Sequence, residues 1–396
     1  MLQQPFTLPC GEVIANRIFK SAMSENMADR DGVPGEKYLS LYNHWSQSQA
    51  GILVTGNVMI DHRALGEKHN VVLENERHLL AFKKWANTSQ KFGCHLWMQI
   101  NHPGRQVPKG VNREAVSPSD VGLSNKQLFP KPRPLTHQEI LEIIDRFGNS
   151  AALAQKGFKG VQIHGAHGYL VSQFLSSLTN IRNDEWGGSL ENRARFVLEV
   201  YRNIRKRVGP NYPVGIKINS ADFQRGAFTE EESLAVIKML SEEGIDMIEI
   251  SGGTYEKASM MGAGQKQSTA NREAYFLDFI IKARKATSTP LCLTGGFRTA
   301  KVMATAIEND ELDFVGVARP MAQNPYFPKE IFEGTIAGWP VRPIHLGIKA
   351  IDKLAYLDTV WHALQLQRMG SGKMPNLKLS SWKALWNLMS RTFFGW

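Results

Sequence analysis

Eight short apolar runs recur along the chain, each followed by a longer stretch of helical periodicity. This alternation constrains the fold more than any other feature. The runs are RIFKSAM (17–23), GILVTGNV (51–58), HLWMQIN (95–101), GVQIHG (160–165), VGIKIN (214–219), MIEISG (247–252), LCLTG (291–295) and FVGVAR (314–319). They are rich in Ile, Val, Leu and Phe and bounded by Gly, Asn, Asp or Pro, which reads as strands. Thr136 with Glu139, and Thr229 with Glu232, have capping-box spacing ahead of apolar-periodic segments. Gly93, Gly157 and Gly244 stand where left-handed helix C-caps are expected. Strand–helix units in series pair in parallel through right-handed crossovers, and eight of them close most simply into a (β/α)8 TIM barrel. A doubly wound open sheet is the alternative, but no GxGxxG follows the first strand. The expectation is an α/β chain with a barrel over residues 1–339 and a basic, Trp-containing helical extension over 340–396.

Composition narrows the function classes. With 42% hydrophobic and 21% charged residues the chain is globular. No run of 18 residues is predominantly apolar, and the first residues carry neither a basic n-region nor an apolar h-region, so neither a membrane span nor a secretory signal is expected. Cys10, Cys94 and Cys292 lie too far apart for a CxxC-type cluster and do not resemble a disulfide framework. A cytoplasmic protein is the expectation. The net charge of +10 invites a nucleic-acid reading, but much of it is concentrated in 340–396, where eight Lys/Arg face Asp352 and Asp358. No recognition motif accompanies it, so no nucleic-acid partner is expected. Within that segment Trp382, Leu385, Trp386, Met389, Phe393 and Trp396 fall at helical spacing. They predict an amphipathic helix that docks on the barrel or on a partner subunit of a homo-oligomer. An anionic membrane surface is the alternative.

Barrel active sites form at the C-terminal ends of the strands, and polar residues collect there. Strand three ends in Gln99, Asn101 and His102, and strand four in His164 followed by Gly165, His167, Gly168 and Tyr169. Strand five carries Lys217 and Asn219, strand six Ser251-Gly252-Gly253, strand seven Gly295-Gly296 and strand eight Arg319. Gly-Gly after strand seven with Arg after strand eight suits a phosphate group, since barrels commonly bind phosphate there. Glycines that merely turn the chain and a structural arginine ion pair are the plainer alternative. Two imidazoles and a phenol in HGAHGYL can hold a developing oxyanion and supply a proton. A zinc site would need a third ligand, and no HExxH is present. The excursion 102–135, rich in Pro, Lys, Arg and Ser, reads as a functional loop at the mouth.

The run IHGAHGYLVSQFLSSLTNIRNDEWGGSLENRARF (163–196) closely resembles the signature of the Old Yellow Enzyme family of FMN-dependent ene-reductases. The resemblance extends to NRIFKSAMS (16–24), MQINHPGRQ (98–106), GIKINSADF (215–223) and the GGF and VARP segments at 295–297 and 317–320, covering about residues 5–335. It implies an FMN-filled barrel in which hydride passes from NADH or NADPH to flavin N5 and on to the β-carbon of an enone or enal. Position by position, it implies flavin contacts at Ala22, Met23 and Ser24, with Ser24 where the family usually has Thr or Cys. Gln99 would meet the pyrimidine edge and Lys217 the N1 and O2 side, where positive charge stabilises reduced flavin. Asn57 falls at a main-chain contact. Gly252, Gly253, Gly295, Gly296, Ala318 and Arg319 complete the cofactor-binding set, with Gly295, Gly296 and Arg319 holding the phosphate. His164 and His167 match the pair that binds the substrate carbonyl oxygen, and Tyr169 the proton donor.

Ser24, Asn26 and Asn57 depart from common family residues, and VTGN with NHPGRQ leans toward the 2,4-dienoyl-CoA reductase branch. That branch adds an iron–sulfur cluster and a second flavin domain, for which this chain has neither the cysteines nor the length. Direct hydride transfer from a bound nicotinamide is therefore implied. DEWGGSLENR is expected to order its loop and start a helix, with no catalytic role. The competing functions are a flavin or quinone diaphorase and a non-catalytic barrel scaffold.

Overall fold

The computed structural model describes residues 1–254, 256, 273–341, 344, 346–348 and 356–394, with backbone alone at 356, 388, 389 and 391–394. The eight strands are β1 (Ile18–Lys20), β2 (Ile52–Val54), β3 (His95–Asn101), β4 (Gly160–Gly165), β5 (Val214–Asn219), β6 (Met247–Ser251), β7 (Leu291–Thr294) and β8 (Phe314–Val317). Each pairs in parallel with its neighbours, and β8 pairs with β1, which closes the (β/α)8 barrel. β3, β4 and β5 occupy the expected ranges. The 51–58 run divides instead, because the chain leaves the barrel after Val54. Val58–Met59 then forms a separate short strand beside Ile100–Asn101 of β3.

The helices α1 (Glu36–Ser46), α2 (Leu79–Ser89), α3 (His137–Ala154), α4 (Leu190–Val208), α5 (Glu230–Glu242), α6 (Leu277–Ala286) and α7 (Ala300–Glu308) surround the strands. Both capping boxes form, on α3 and on α5. Gly244 and Gly93 take left-handed backbone at φ +84° and +83°. Gly157 does not. α3 ends at a right-handed Gln155, and the glycine serves a close approach, since a Cβ there would meet Ala86 Cβ at 3.4 Å and Lys83 Cα at 3.5 Å. Ser189 caps α4 by accepting from Asn192 N–H, so DEWGGSLENR does start a helix.

Alternation along the strands divides the barrel interior into layers. Phe19, Ile52, Trp97, Met247, Cys292 and Phe314 fill its lower part, joined by Leu8 and Ile14 from an antiparallel hairpin (Phe6–Thr7 with Val13–Ile14). The Trp97 indole needs space on two neighbouring strands. A Cβ at Gly160 would lie 2.6 Å from it, and one at Gly215 3.0 Å. Among the described residues, two further helices follow the barrel, α8 (Tyr356–Gly370) and α9 (Ser381–Phe394). α8 lies on α1, where Ser40 Oγ donates to the Met369 carbonyl at 2.7 Å, and α9 packs on α8. Among the described residues, no helix is long and apolar enough to cross a membrane.

Candidate active site

Above the apolar floor the inward residues turn polar and bond in series across the barrel. Gln99 Nε2 donates to Gln162 Oε1 at 2.8 Å, and Gln162 Nε2 to Glu249 Oε2 at 2.7 Å. Glu249 Oε1 accepts from the Thr294 hydroxyl at 2.6 Å and pairs with Lys217 Nζ at 3.0 Å. With Thr294 donating there, the Ser21 hydroxyl, 2.6 Å away, donates to Thr294. The Lys217–Glu249 pair is almost wholly withdrawn from water, with side-chain exposures of 4% and 0%. The chain of bonds leaves Gln99 Oε1 buried without a partner.

The mouth lies one layer further up. Ala22, Met23, Ser24, Asn57, Gln99, His164, His167, Tyr169 and Lys217 line one cavity there. A separate cavity of about 310 Å³ sits in the excursion after β3, between residues 107–115 and 130–133, and shares none of these residues. The His164 and His167 rings meet edge to face with centroids 5.3 Å apart, and His164 meets Tyr169 at 4.7 Å. Ala166 N–H donates to His164 Nδ1 at 3.4 Å, which places the hydrogen of a neutral ring on Nε2. His167 adopts φ +61°, a conformation uncommon for a residue with a Cβ. Asn219 Oδ1 holds it there by accepting the His167 N–H at 3.2 Å, and Ser251 Oγ lies 2.9 Å from His167 Nε2. Burial holds His164 well below the ordinary imidazole value, helped by His167 and Lys217. Burial and then Lys217 do the same for His167. Both rings are therefore neutral N–H donors at physiological pH. Asn57 Nδ2 donates to the Tyr169 phenol oxygen at 3.2 Å, so its side chain acts at this wall besides any main-chain role.

The remaining expected residues lie outside that lining. Gly253, Gly295 and Gly296 take positive φ of +88°, +126° and +98°. Phe276 sits between the two glycine pairs, since a Cβ at Gly252 would meet its ring at 2.7 Å and one at Gly295 at 3.1 Å. Ala318 precedes the short helix Arg319–Gln323, and Arg319 Nη1 lies 3.5 Å from Asp358 Oδ2 on α8. Residues fitting a flavin are thus present. Gln99 Oε1 is a buried acceptor for a ring N–H, Lys217 is a buried cation for an electron-rich carbonyl edge, and side-chain-free backbone lies where a phosphate is expected. Sequence reasoning did not select Gln162, Glu249, Thr294 and Ser21, which set Gln99 and Lys217, and it placed Asn219 and Ser251 at the mouth without their role of setting His167. Polar residues two apart on one strand (162/164, 217/219, 249/251) were the available signal.

The chain belongs to the NADH:flavin oxidoreductase / NADH oxidase family, whose model matches residues 1–336. It is 36% identical over 354 residues to the NADH-dependent flavin oxidoreductase iliE of Hypocrea jecorina (strain QM6a), covering 83% of this chain and 88% of that protein. A 2-naphthoyl-CoA reductase in complex with 2-naphthoyl-CoA superposes with a TM-score of 0.78 at 30% identity, over 84% of this chain. This chain covers 52% of that reductase, about half its length. The Old Yellow Enzyme homologue of Zymomonas mobilis shares the fold, with a TM-score of 0.72 at 24% identity over 86% of this chain and 94% of that one. The protein is an oxidoreductase that uses FMN, with NADH or NADPH as reductant.

Proposed function

We propose that this chain is an ene-reductase acting on the activated C=C bond of an enone or enal, and that the barrel, residues 1–339, holds its machinery. FMN, when bound, supplies hydride to the β-carbon. The observation that carries the reading is the pair of neutral imidazoles, buried His164 and half-buried His167, set edge to face beside Tyr169. As hydride reaches the β-carbon, negative charge builds on the substrate's carbonyl oxygen. His164, through Nε2, and His167 donate hydrogen bonds to it, each such donor being worth about 2.7–4 kcal/mol at a transition state. Neutral donors serve better here than imidazolium, whose charge would cost far more to bury beside Lys217. Tyr169 gives the α-carbon its proton. Ala22, Met23, Ser24 and Asn57 shape the cofactor's side of the cavity, and Gln99 and Lys217 hold its polar edge. Gly295, Gly296 and Arg319 receive its phosphate end, and Gly252, Gly253 and Ala318 complete the cofactor-binding set.

The test is anaerobic turnover of 2-cyclohexenone with NADH and with NADPH, following cyclohexanone by chromatography. Nucleotide oxidation with a quinone but no saturated ketone from any enone or enal would replace this reading with a flavin or quinone diaphorase.

A further inference from the structure

From residue 359 to residue 396 the chain holds Arg368, Lys373, Lys378, Lys383 and Arg391 and not one Asp or Glu. The same stretch exposes large apolar side chains. Met374 is 46% exposed, Leu377 51%, Trp382 59% and Trp386 69%. The stripe expected to bury Trp382, Leu385 and Trp386 together is divided in the structure. Ala384 is fully buried and Leu385 joins the cluster around Leu357 and Trp361, while Trp382 and Trp386, four residues apart on one helix face, turn to water. Met389 and Phe393 have no described side chains, and Trp396 lies outside the described residues.

The exposed apolar groups stand on a fastened platform. Trp361 Nε1 donates to the Leu379 carbonyl at 2.9 Å. Gln365 grips Asn376 twice, donating through Nε2 to its carbonyl at 3.1 Å and accepting its N–H at 2.7 Å. The 371–380 connector and α9 are thereby tied to α8, which is seated on α1.

We propose that the exposed side chains of this platform, Met374, Leu377, Trp382 and Trp386 with Lys373, Lys378 and Lys383, dock on an anionic lipid surface. Indole rings favour the headgroup level, aliphatic side chains enter the acyl boundary, and lysines reach phosphate groups. A second copy of the chain fits less well. A two-fold contact sets the patch against itself, and residues 359–396 hold no Asp or Glu carboxylate to meet their own lysines. Single-stranded nucleic acid would stack on the tryptophans, but Met374 and Leu377 offer a base no π-face.

The experiment is co-sedimentation of the full FMN-loaded chain with phosphatidylcholine vesicles, with and without phosphatidylserine. Binding is expected to the anionic vesicles only, with a blue-shifted tryptophan emission, and to weaken at high salt. Each basic residue near such a surface counts for about 1 kcal/mol, so Lys383→Gln should weaken partitioning about fivefold and the triple Lys373→Gln/Lys378→Gln/Lys383→Gln variant about 100-fold. Trp382→Ser/Trp386→Ser should abolish the emission shift. These side chains are exposed, so unchanged circular dichroism certifies the variants. Partitioning that ignores phosphatidylserine or survives the tryptophan substitutions overturns the proposal. So does a concentration-dependent dimer that the tryptophan variant abolishes, or oligonucleotide binding without vesicle binding.

Discussion

Acidification between pH 7 and pH 5 should weaken the fold through histidines that the barrel keeps neutral. His102, at the end of β3, and His164 are buried, and His167 beside them is half-buried; withdrawal from water lowers His102 to about 4 and the other two well below the ordinary value. In the unfolded chain an imidazole titrates near ~6.5. Below that pH the unfolded chain binds protons that the fold refuses, so stability falls as pH falls. The effect is absent well above ~6.5, grows through pH 6 and 5, and for His102 saturates below about 4. With its folded value near 4, His102 alone costs about 2 kcal/mol at pH 5 relative to pH 7, and His164 and His167 add to the loss in the same direction. Typical total stabilities are only ~5–15 kcal/mol. His44, His95 and His362 are lowered by burial too and act in the same direction. Urea midpoints measured with excess FMN at both pH values would show the loss. His102 Nδ1 accepts the Gly104 N–H at 3.1 Å, a bond that the amide oxygen of His102→Gln can accept. That variant should recover about 2 kcal/mol of the loss. Equal midpoints at pH 7 and pH 5, or an undiminished loss in the variant, would refute the reasoning.

Three other outcomes follow from named contacts. Tyr169→Phe should leave anaerobic reduction of the bound FMN by nicotinamide nearly unchanged while slowing reoxidation by an enone, and stopped-flow traces of the two half-reactions separate these. Ser251→Ala, which removes the hydroxyl 2.9 Å from His167 Nε2, should shift that ring between its neutral tautomers in ¹⁵N spectra, with Ser251→Thr restoring the wild-type signal. Asp358→Asn removes a carboxylate 3.5 Å from Arg319 and should tighten FMN binding roughly fivefold, about 1 kcal/mol, in fluorescence titration of the apoprotein; weaker binding would instead give Asp358 an orienting role.

Most of the barrel was legible because each strand is punctuated. β3, β4 and β5 stop where Gly, Pro or a polar step interrupts an apolar run, and both capping boxes announce their helices. The 51–58 run misled because apolar composition does not reveal which residues remain in a barrel. Gly56 sits against Glu25, whose carboxylate accepts its N–H at 2.9 Å, and the strand has already ended there. At the mouth, residue types marked His164, His167 and Tyr169, but the partners that orient them depend on register. Asn219 and Ser251 stand opposite each other only because β5 and β6 pair as they do. The contact between Arg319 and Asp358 spans 39 residues and two elements, so no local pattern announces it. In α9 periodicity marked the apolar positions without deciding which of them pack, and the small Ala384 settles that by letting the helix approach α8.

The buried chain from Gln99 to Ser21 is a poor way to fill a barrel. An ion pair taken out of water often contributes less than well-packed apolar groups of the same volume, and breaking one partner costs about 3–5 kcal/mol. Stability alone would extend the apolar floor upward, as Phe19, Trp97 and Phe314 begin to do. What the polar chain provides is orientation. Glu249 accepts from Gln162, Thr294 and Lys217 at once, and its double grip on Gln162 and Lys217 aligns two groups on different strands. Gln162 in turn occupies the Gln99 amide nitrogen, which leaves the Gln99 oxygen as the end presented to the cavity. A partnerless buried acceptor costs about 1–3 kcal/mol until a donor reaches it, so the folded chain stores in Gln99 Oε1 a deficit that a ring N–H relieves. On this reasoning Glu249 is the residue through which barrel stability is exchanged for a preset cofactor edge.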